Sequence, residues 1–189
     1  MSERSALATA SSGATRDPAY SSGPIVLVLA IILTISAIQK NDPPPVVGTR
    51  ASAADFSAAR AMPDLREIAQ RPHPLASPDE ARVRGYLIKR LTELGAAPDI
   101  ETATVASSNR QGLRAFAVVN NIVAPIPGAA STGAIMLVAH YDSVPSGPGA
   151  GDDSAAVAAI LETVRALKSG PPLRNDLIVL FTGGEELGM

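Results

Sequence analysis

The strongest apolar pattern comes first in the chain. Residues 25–38 read IVLVLAIILTISAI, and no charged residue falls between Asp17 and Lys40. As a helix, the uncharged stretch 18–39 would extend about 33 Å, close to the thickness of a bilayer's hydrocarbon core. This predicts one transmembrane anchor over residues 24–39, with membrane lipid as the partner of residues 25–38. Two other readings stay open. One is a cleaved signal peptide, although its best small-residue site, Ala51-Ser52-Ala53, lies well downstream. The other is a buried helix of a soluble protein. Arg4 and Arg16 on one side face Lys40 and Arg50 on the other, so the positive-inside rule does not orient the segment. Residues 1–23 are rich in Ser, Ala, Thr and Gly without apolar periodicity, and are expected to form a disordered tail. Pro43-Pro44-Pro45 makes residues 40–52 a stiff, extended linker.

The pattern of a folded domain begins near residue 53 and continues to residue 189. An Ala-rich helix is expected over residues 53–70, broken by Arg71-Pro72-His73-Pro74. Ser77-Pro78-Asp79-Glu80 then reads as a helix start, with Ser77 as N-cap, Pro78 in the first turn and Glu80 closing a capping box. Val83, Leu87, Leu91 and Leu94 fall on one face, and Gly95 ends the helix. Strands are expected over residues 100–106 and 115–123, joined by a turn at 109–112. The apolar runs at 134–139 (AIMLVA) and 177–181 (LIVLF) suit strands buried on both faces. Between them, residues 153–168 read as a helix, with Ala155, Ala159, Leu161, Val164 and Leu167 available to pack. Strand, helix, strand in this order is a βαβ crossover, which implies a parallel sheet with helices on both faces.

Composition narrows the chemistry. The net charge is −2 and no basic stripe is present, which argues against a nucleic-acid partner. There are no cysteines, so disulfides, thiolate catalysis and cysteine-held zinc are excluded. A metal would have to be held by histidine and carboxylates, a donor set typical of hydrolytic sites. The candidates cluster. His140-Tyr141-Asp142 ends the first buried strand, Asp152-Asp153 begins the crossover helix, and Glu185-Glu186 follows the second strand after Gly183-Gly184. Ligands of open α/β sheets bind beyond the carboxyl ends of the strands, where these three segments converge. Each alone has a plainer reading: a structural histidine, a helix cap and a solvated surface pair. Two adjacent glutamates also allow one to bind metal while the other serves as base.

Three spaced motifs carry a family resemblance. Val138-Ala139-His140-Tyr141-Asp142-Ser143, Pro148-Gly149-Ala150-Gly151-Asp152-Asp153-Ser154 and Phe181-Thr182-Gly183-Gly184-Glu185-Glu186-Leu187-Gly188 resemble the two-zinc peptidases of clan MH, the family of aminopeptidase Y and bacterial leucyl aminopeptidase. Arg71-Pro72-His73-Pro74 and the helix after it further resemble its membrane-bound branch, which includes endoplasmic reticulum metallopeptidase and vacuolar membrane protease.

The resemblance implies a three-layer α/β/α sandwich with a mixed, largely parallel sheet, and a membrane-anchored aminopeptidase acting on peptides. It implies two zinc ions, with His140, Asp152 and Glu186 as metal ligands, Asp152 bridging and Glu185 as general base. Asp142 would hold the His140 imidazole through its other ring nitrogen. It also implies a cis peptide between Asp152 and Asp153 and a domain on the extracytoplasmic or lumenal side. His73 has no counterpart among the family's ligands and is read as structural. Two more ligands, an acidic residue and a histidine, are expected after Glu186, whereas Met189 is the last residue here. The expectation is an incomplete copy, inactive alone, with its last strand, residues 177–181, left with an unpaired edge. A non-catalytic remnant, a carboxypeptidase and a glutaminyl cyclase stay open as alternatives.

Overall fold

The computed structural model describes residues 23–41, 43–108 and 114–189. The expected tail, apart from Gly23, and the turn at 109–112 lie outside the described residues. The chain divides into two units at Pro45 and Val46, within the stretch read as linker. In the first unit α1 (Gly23–Lys40) is one 18-residue helix, long and apolar enough to cross a membrane. At 1.5 Å per residue it extends about 27 Å, and none of its residues is buried.

The second unit contains α2 (Ala58–Ile68), α3 (Pro78–Glu93), β1 (Asp99–Ser108), β2 (Arg114–Ile126), β3 (Ala134–His140), α4 (Ala155–Lys168) and β4 (Asp176–Thr182). Helix α2 starts five residues later than its alanine content suggests. The reason lies in the preceding carbonyls. Arg60 donates to those of Thr49, Ala51, Ser52 and Asp55, and Arg165 to those of Ala53 and Asp55, so this stretch is held in turns. Both guanidinium groups also bind the buried carboxylate of Glu162, at 3.1 and 2.6 Å. Ser57 then caps α2 through Arg60 N–H.

Helix α3 begins as expected, with the Ser77 hydroxyl accepting Glu80 N–H at 3.0 Å. The reciprocal half of the capping box is absent: Glu80 accepts Ala76 N–H instead, at 3.2 Å. Val83, Leu87 and Leu91 are fully buried, each a gain of about 1.5–3 kcal/mol over exposure.

The sheet is mixed, in the order β1-β2-β4-β3. The crossover through α4 does produce a parallel pair, Leu137 lying opposite Val179. The other two pairs are antiparallel, so the parallel share is smaller than expected. Strand β4 is not an edge. It is central, because β2 crosses the sheet and pairs Ile122 with Phe181. The outer strands among the described residues are β1 and β3.

Ile122, Ala124, Ala139, Leu177, Val179 and Phe181 form one core with apolar residues of α2, α3 and α4. The run 134–139 is not buried on both faces as expected: β3 is an outer strand among the described residues, and its face away from this core presents Met136 and Val138, each about half exposed. A second helical layer is not seen among the described residues of this unit. On α4 the packing face is Val157, Ala158, Ile160, Leu161 and Val164, while Ala155, expected to pack, is exposed.

Candidate metal centre

Parallel pairing of β3 with β4 sets the site's frame. His140 is the last residue of β3, opposite Thr182, and the next residue extends the ladder, Tyr141 N–H donating to Thr182 C=O at 2.9 Å. The His140 and Glu185-Glu186 motifs are thereby brought side by side at the carboxyl ends of the strands. Gly184 makes the turn from the end of β4 into Glu185-Glu186. Its φ is +92°, and a Cβ there would come within 2.9 Å of Val119, so glycine is required on two counts.

The third motif enters through an irregular turn, Ala150–Ser154, rather than as the first turn of α4. Gly149 opens it at φ +62°, and the Asp152–Asp153 peptide is cis, as the resemblance implied. Asp153 has non-helical backbone angles, so α4 begins at Ala155 instead of residue 153.

One ligand atom from each of His140, Asp152 and Glu186 lies within 4.8 Å of the others. His140 Nε2 is 3.0 Å from Asp152 Oδ1 and 3.8 Å from a Glu185 oxygen. The Asp152 and Glu185 carboxylates are exposed, at 85% and 61%, whereas the imidazole is 9% exposed. The cluster thus has a fixed, buried base and a solvent-facing acidic rim. Burial opposes a charge on His140, but Asp152, Asp142 and Glu185 outweigh it and hold its pKa above the ordinary histidine value.

Asp142 faces the second ring nitrogen of His140, its carbonyl nearer than its carboxylate. His140 Nδ1 lies 3.1 Å from the Asp142 carbonyl and 3.5 Å from its carboxylate. The carboxylate instead accepts two backbone N–H groups, that of Glu185 at 3.2 Å and that of Glu186 at 3.3 Å. Asp142, fully buried, therefore links the histidine to the glutamate pair.

The donor chemistry fits zinc: one imidazole, two carboxylates and no thiolate. The 3.0 Å between His140 and Asp152 is near the ~3.3 Å edge of a tetrahedron with zinc bonds of about 2.0–2.1 Å.

The fold is that of the zinc peptidases. Over 68% of its length the chain superposes on 45% of Porphyromonas gingivalis glutaminyl cyclase, with a TM-score of 0.59 and 26% identity. It also superposes on a Zn-dependent exopeptidase from Parabacteroides distasonis, with a TM-score of 0.55, 22% identity, and 69% and 47% of the two chains covered. Within that class, residues 121–189 match the model of peptidase family M28, and the chain resembles the N-terminal region of the family's membrane-bound branch. It is 30% identical over 188 residues to the vacuolar membrane protease of Yarrowia lipolytica, covering 87% of this chain and 18% of that protein. A probable lipoprotein aminopeptidase of Mycobacterium tuberculosis is 41% identical over 69 residues, 36% of this chain and 14% of that one. The chain thus spans less than a fifth of these curated relatives.

Side chains behind the cluster escaped the sequence reading. Tyr141, Glu80 and Ser143 are buried and bonded to one another's segments. The signal for Glu80 was present but ambiguous, because a capping-box glutamate already has an explanation.

Proposed function

We propose that the protein is a membrane-anchored zinc aminopeptidase, and that this chain supplies its first metal-holding side chains and its general base. The observation that carries the reading is the approach of His140, Asp152 and Glu186 within 4.8 Å, with the Glu185 carboxylate beside them and open to solvent. The names of the relatives, vacuolar membrane protease and lipoprotein aminopeptidase, support it.

His140, Asp152 and Glu186 would hold the metal, Asp152 being shared between two ions. Zinc bound there would supply Lewis acidity and an acidified water. Asp142 keeps His140 and the two glutamates in register through its carbonyl and carboxylate. Glu185, exposed and unengaged in the metal-holding trio, takes the proton from the attacking water and returns it to the leaving amine. An apolar helix at residues 23–40 would tether the domain on the extracytoplasmic or lumenal side.

The likeness to a glutaminyl cyclase favours a second reading, in which the same cluster serves cyclisation of an N-terminal glutamine. Both are tested on the longest protein containing this chain, in detergent, with zinc, a leucyl chromogenic amide and a glutaminyl peptide. Zinc-dependent release from the leucyl amide, lost in Glu185→Ala, is expected. Ring closure of the glutaminyl peptide without leucyl turnover would select the second reading, and neither activity would sink both.

A further inference from the structure

Behind the metal-holding strand end lies a polar network that the proposed chemistry does not use. The Tyr141 side chain points into the core and is fully buried. Its hydroxyl lies 2.7 Å from Glu80 Oε1 and 2.8 Å from the Asn120 carbonyl, and it accepts from Arg84 at 3.4 Å. Glu80 is itself buried, and its charge is matched by Arg84 at 2.7 Å. Its second oxygen holds the N–H of Ala76, a non-glycine residue at φ +63°. One carboxylate therefore joins the start of α3, the loop before it and the end of β3.

The same loop grips the strand end at a second point. His73 N–H donates to the Ser143 hydroxyl at 2.8 Å, and Ser143 N–H donates to the His73 carbonyl at 3.2 Å. His73 is fully buried, its Nδ1 lying 2.8 Å from the Arg71 carbonyl. Leu75 lies against Gly184, at the root of the Glu185-Glu186 turn. Asp142 is thus flanked on both sides, through Tyr141 and Ser143, by residues fastened to the segment 71–80. That segment also touches the turn whose amides Asp142 holds.

We propose that Glu80 and Tyr141 are positioning residues for the metal centre: their buried hydrogen bond, with the His73–Ser143 exchange, fixes the strand end from which His140 and Asp142 project. The inference rests on the metal reading above for its consequence, not for its geometry. A fully buried carboxylate paired with one arginine and one tyrosine contributes little net stability compared with an apolar replacement. It does fix orientation, because the Arg84 guanidinium only donates and the Glu80 carboxylate only accepts, which leaves the Tyr141 hydroxyl to donate to Glu80. Supporting hydrogen bonds of this kind typically govern metal affinity by 10–100-fold.

The test uses the full 189-residue chain in detergent and compares Tyr141→Phe, Glu80→Gln and Glu80→Ala with the parent. Leu91→Ala, which opens a cavity on α3 far from the loop, is the control for destabilisation alone. His140→Ala is the control for adventitious metal. The first readout is metal-free: hydrogen exchange of the Glu185 and Glu186 amides. The second is zinc affinity by competition with a chromogenic chelator.

Tyr141→Phe and Glu80→Ala are expected to speed exchange of both amides at least tenfold and to weaken zinc by 10–100-fold. Glu80→Gln, which still accepts from Tyr141, should recover part of both effects. Leu91→Ala should lower the melting temperature and leave affinity in the folded protein unchanged. If Tyr141→Phe and Glu80→Ala behave like Leu91→Ala, the positioning role is overturned while the metal reading stands. If the parent binds zinc no better than His140→Ala but the amide effects appear, the metal reading fails and the brace is upheld.

Discussion

The Asp142 carboxylate accepts the backbone N–H of Glu185 at 3.2 Å, a contact that crosses between two motifs 43 residues apart. Its other oxygen takes the N–H of Glu186 at 3.3 Å. A buried carboxylate that caps two amides orders the turn from which Glu185 and Glu186 project. Its backbone carbonyl meanwhile faces His140 Nδ1 at 3.1 Å.

Replacing Asp142 by alanine therefore removes more than a partner of the imidazole. It strands two N–H groups and frees the Glu185–Leu187 turn. Zinc affinity should fall by about 10–100-fold, and Asp142→Asn, which keeps one acceptor oxygen, should lose less. Calorimetric titration with zinc checks this, and equal losses for the two variants would count against the amide-capping role.

Ala76 sits in the left-handed region at φ +63°, a conformation its Cβ disfavours. That costs about 1–2 kcal/mol, which glycine would not incur. Glycine would lose roughly 0.5–1 kcal/mol of unfolded-state freedom in exchange. Ala76→Gly should therefore stabilise the protein by a few tenths to about 1 kcal/mol. Urea denaturation measures it, and a clear loss of stability would show that the turn is not strained.

Glu162 gives a pH dependence with a defined sign. Its side chain is 2% exposed and meets Arg165 and Arg60 at 2.6 and 3.1 Å. Burial raises its pKa, but the bonds from Arg165, Arg60 and Ser57 N–H outweigh that and hold it below the ordinary carboxylate value. A depressed folded pKa means that the stabilisation is present above the unfolded value. It is lost as pH falls through the folded one. Glu162→Ala, which leaves two arginines without their shared anion, should cost about 3 kcal/mol near neutrality. The parent and Glu162→Gln should converge in melting temperature as pH falls below the ordinary carboxylate range, and a gap constant down to the acid limit would refute the assignment.

The chain's local signals were readable where local physics decides them. The runs at 134–139 and 177–181 as strands and Ser77 as a cap are each stated within a few residues. What escaped depends on distant partners. Strand β4 seemed destined for an edge because its antiparallel neighbour, β2, lies some 55 residues upstream with nothing in its pattern to name Phe181 as the partner of Ile122. Alanines at 53–57 favour a helix, but Arg60 and Arg165 claim the carbonyls that a helix would need. Support of His140 by Asp142 is what the family resemblance implies, whereas the capping of Glu185 and Glu186 by Asp142 requires the two strand ends to be paired already.

Ligand count and base placement together predict a split between binding and turnover. His140, Asp152 and Glu186 offer one imidazole and two carboxylates, fewer than the four protein donors of a closed zinc site. The 189-residue chain alone should bind zinc weakly and release no detectable product from a leucyl amide. Glu185 stands apart from that trio: its carboxylate is 61% exposed and 3.8 Å from His140 Nε2, too far for a hydrogen bond. Its removal should therefore leave zinc affinity within about threefold, while Glu186→Ala lowers it by roughly tenfold or more. In the longer protein, Glu185→Ala should reduce kcat by about 10²–10⁴, the range for loss of a general base, with little change in KM. Parallel zinc titrations and steady-state kinetics separate the two glutamates. If Glu185→Ala loses metal as severely as Glu186→Ala, their assignments must be exchanged, and zinc-dependent turnover by the 189-residue chain itself would mean that other groups complete the site.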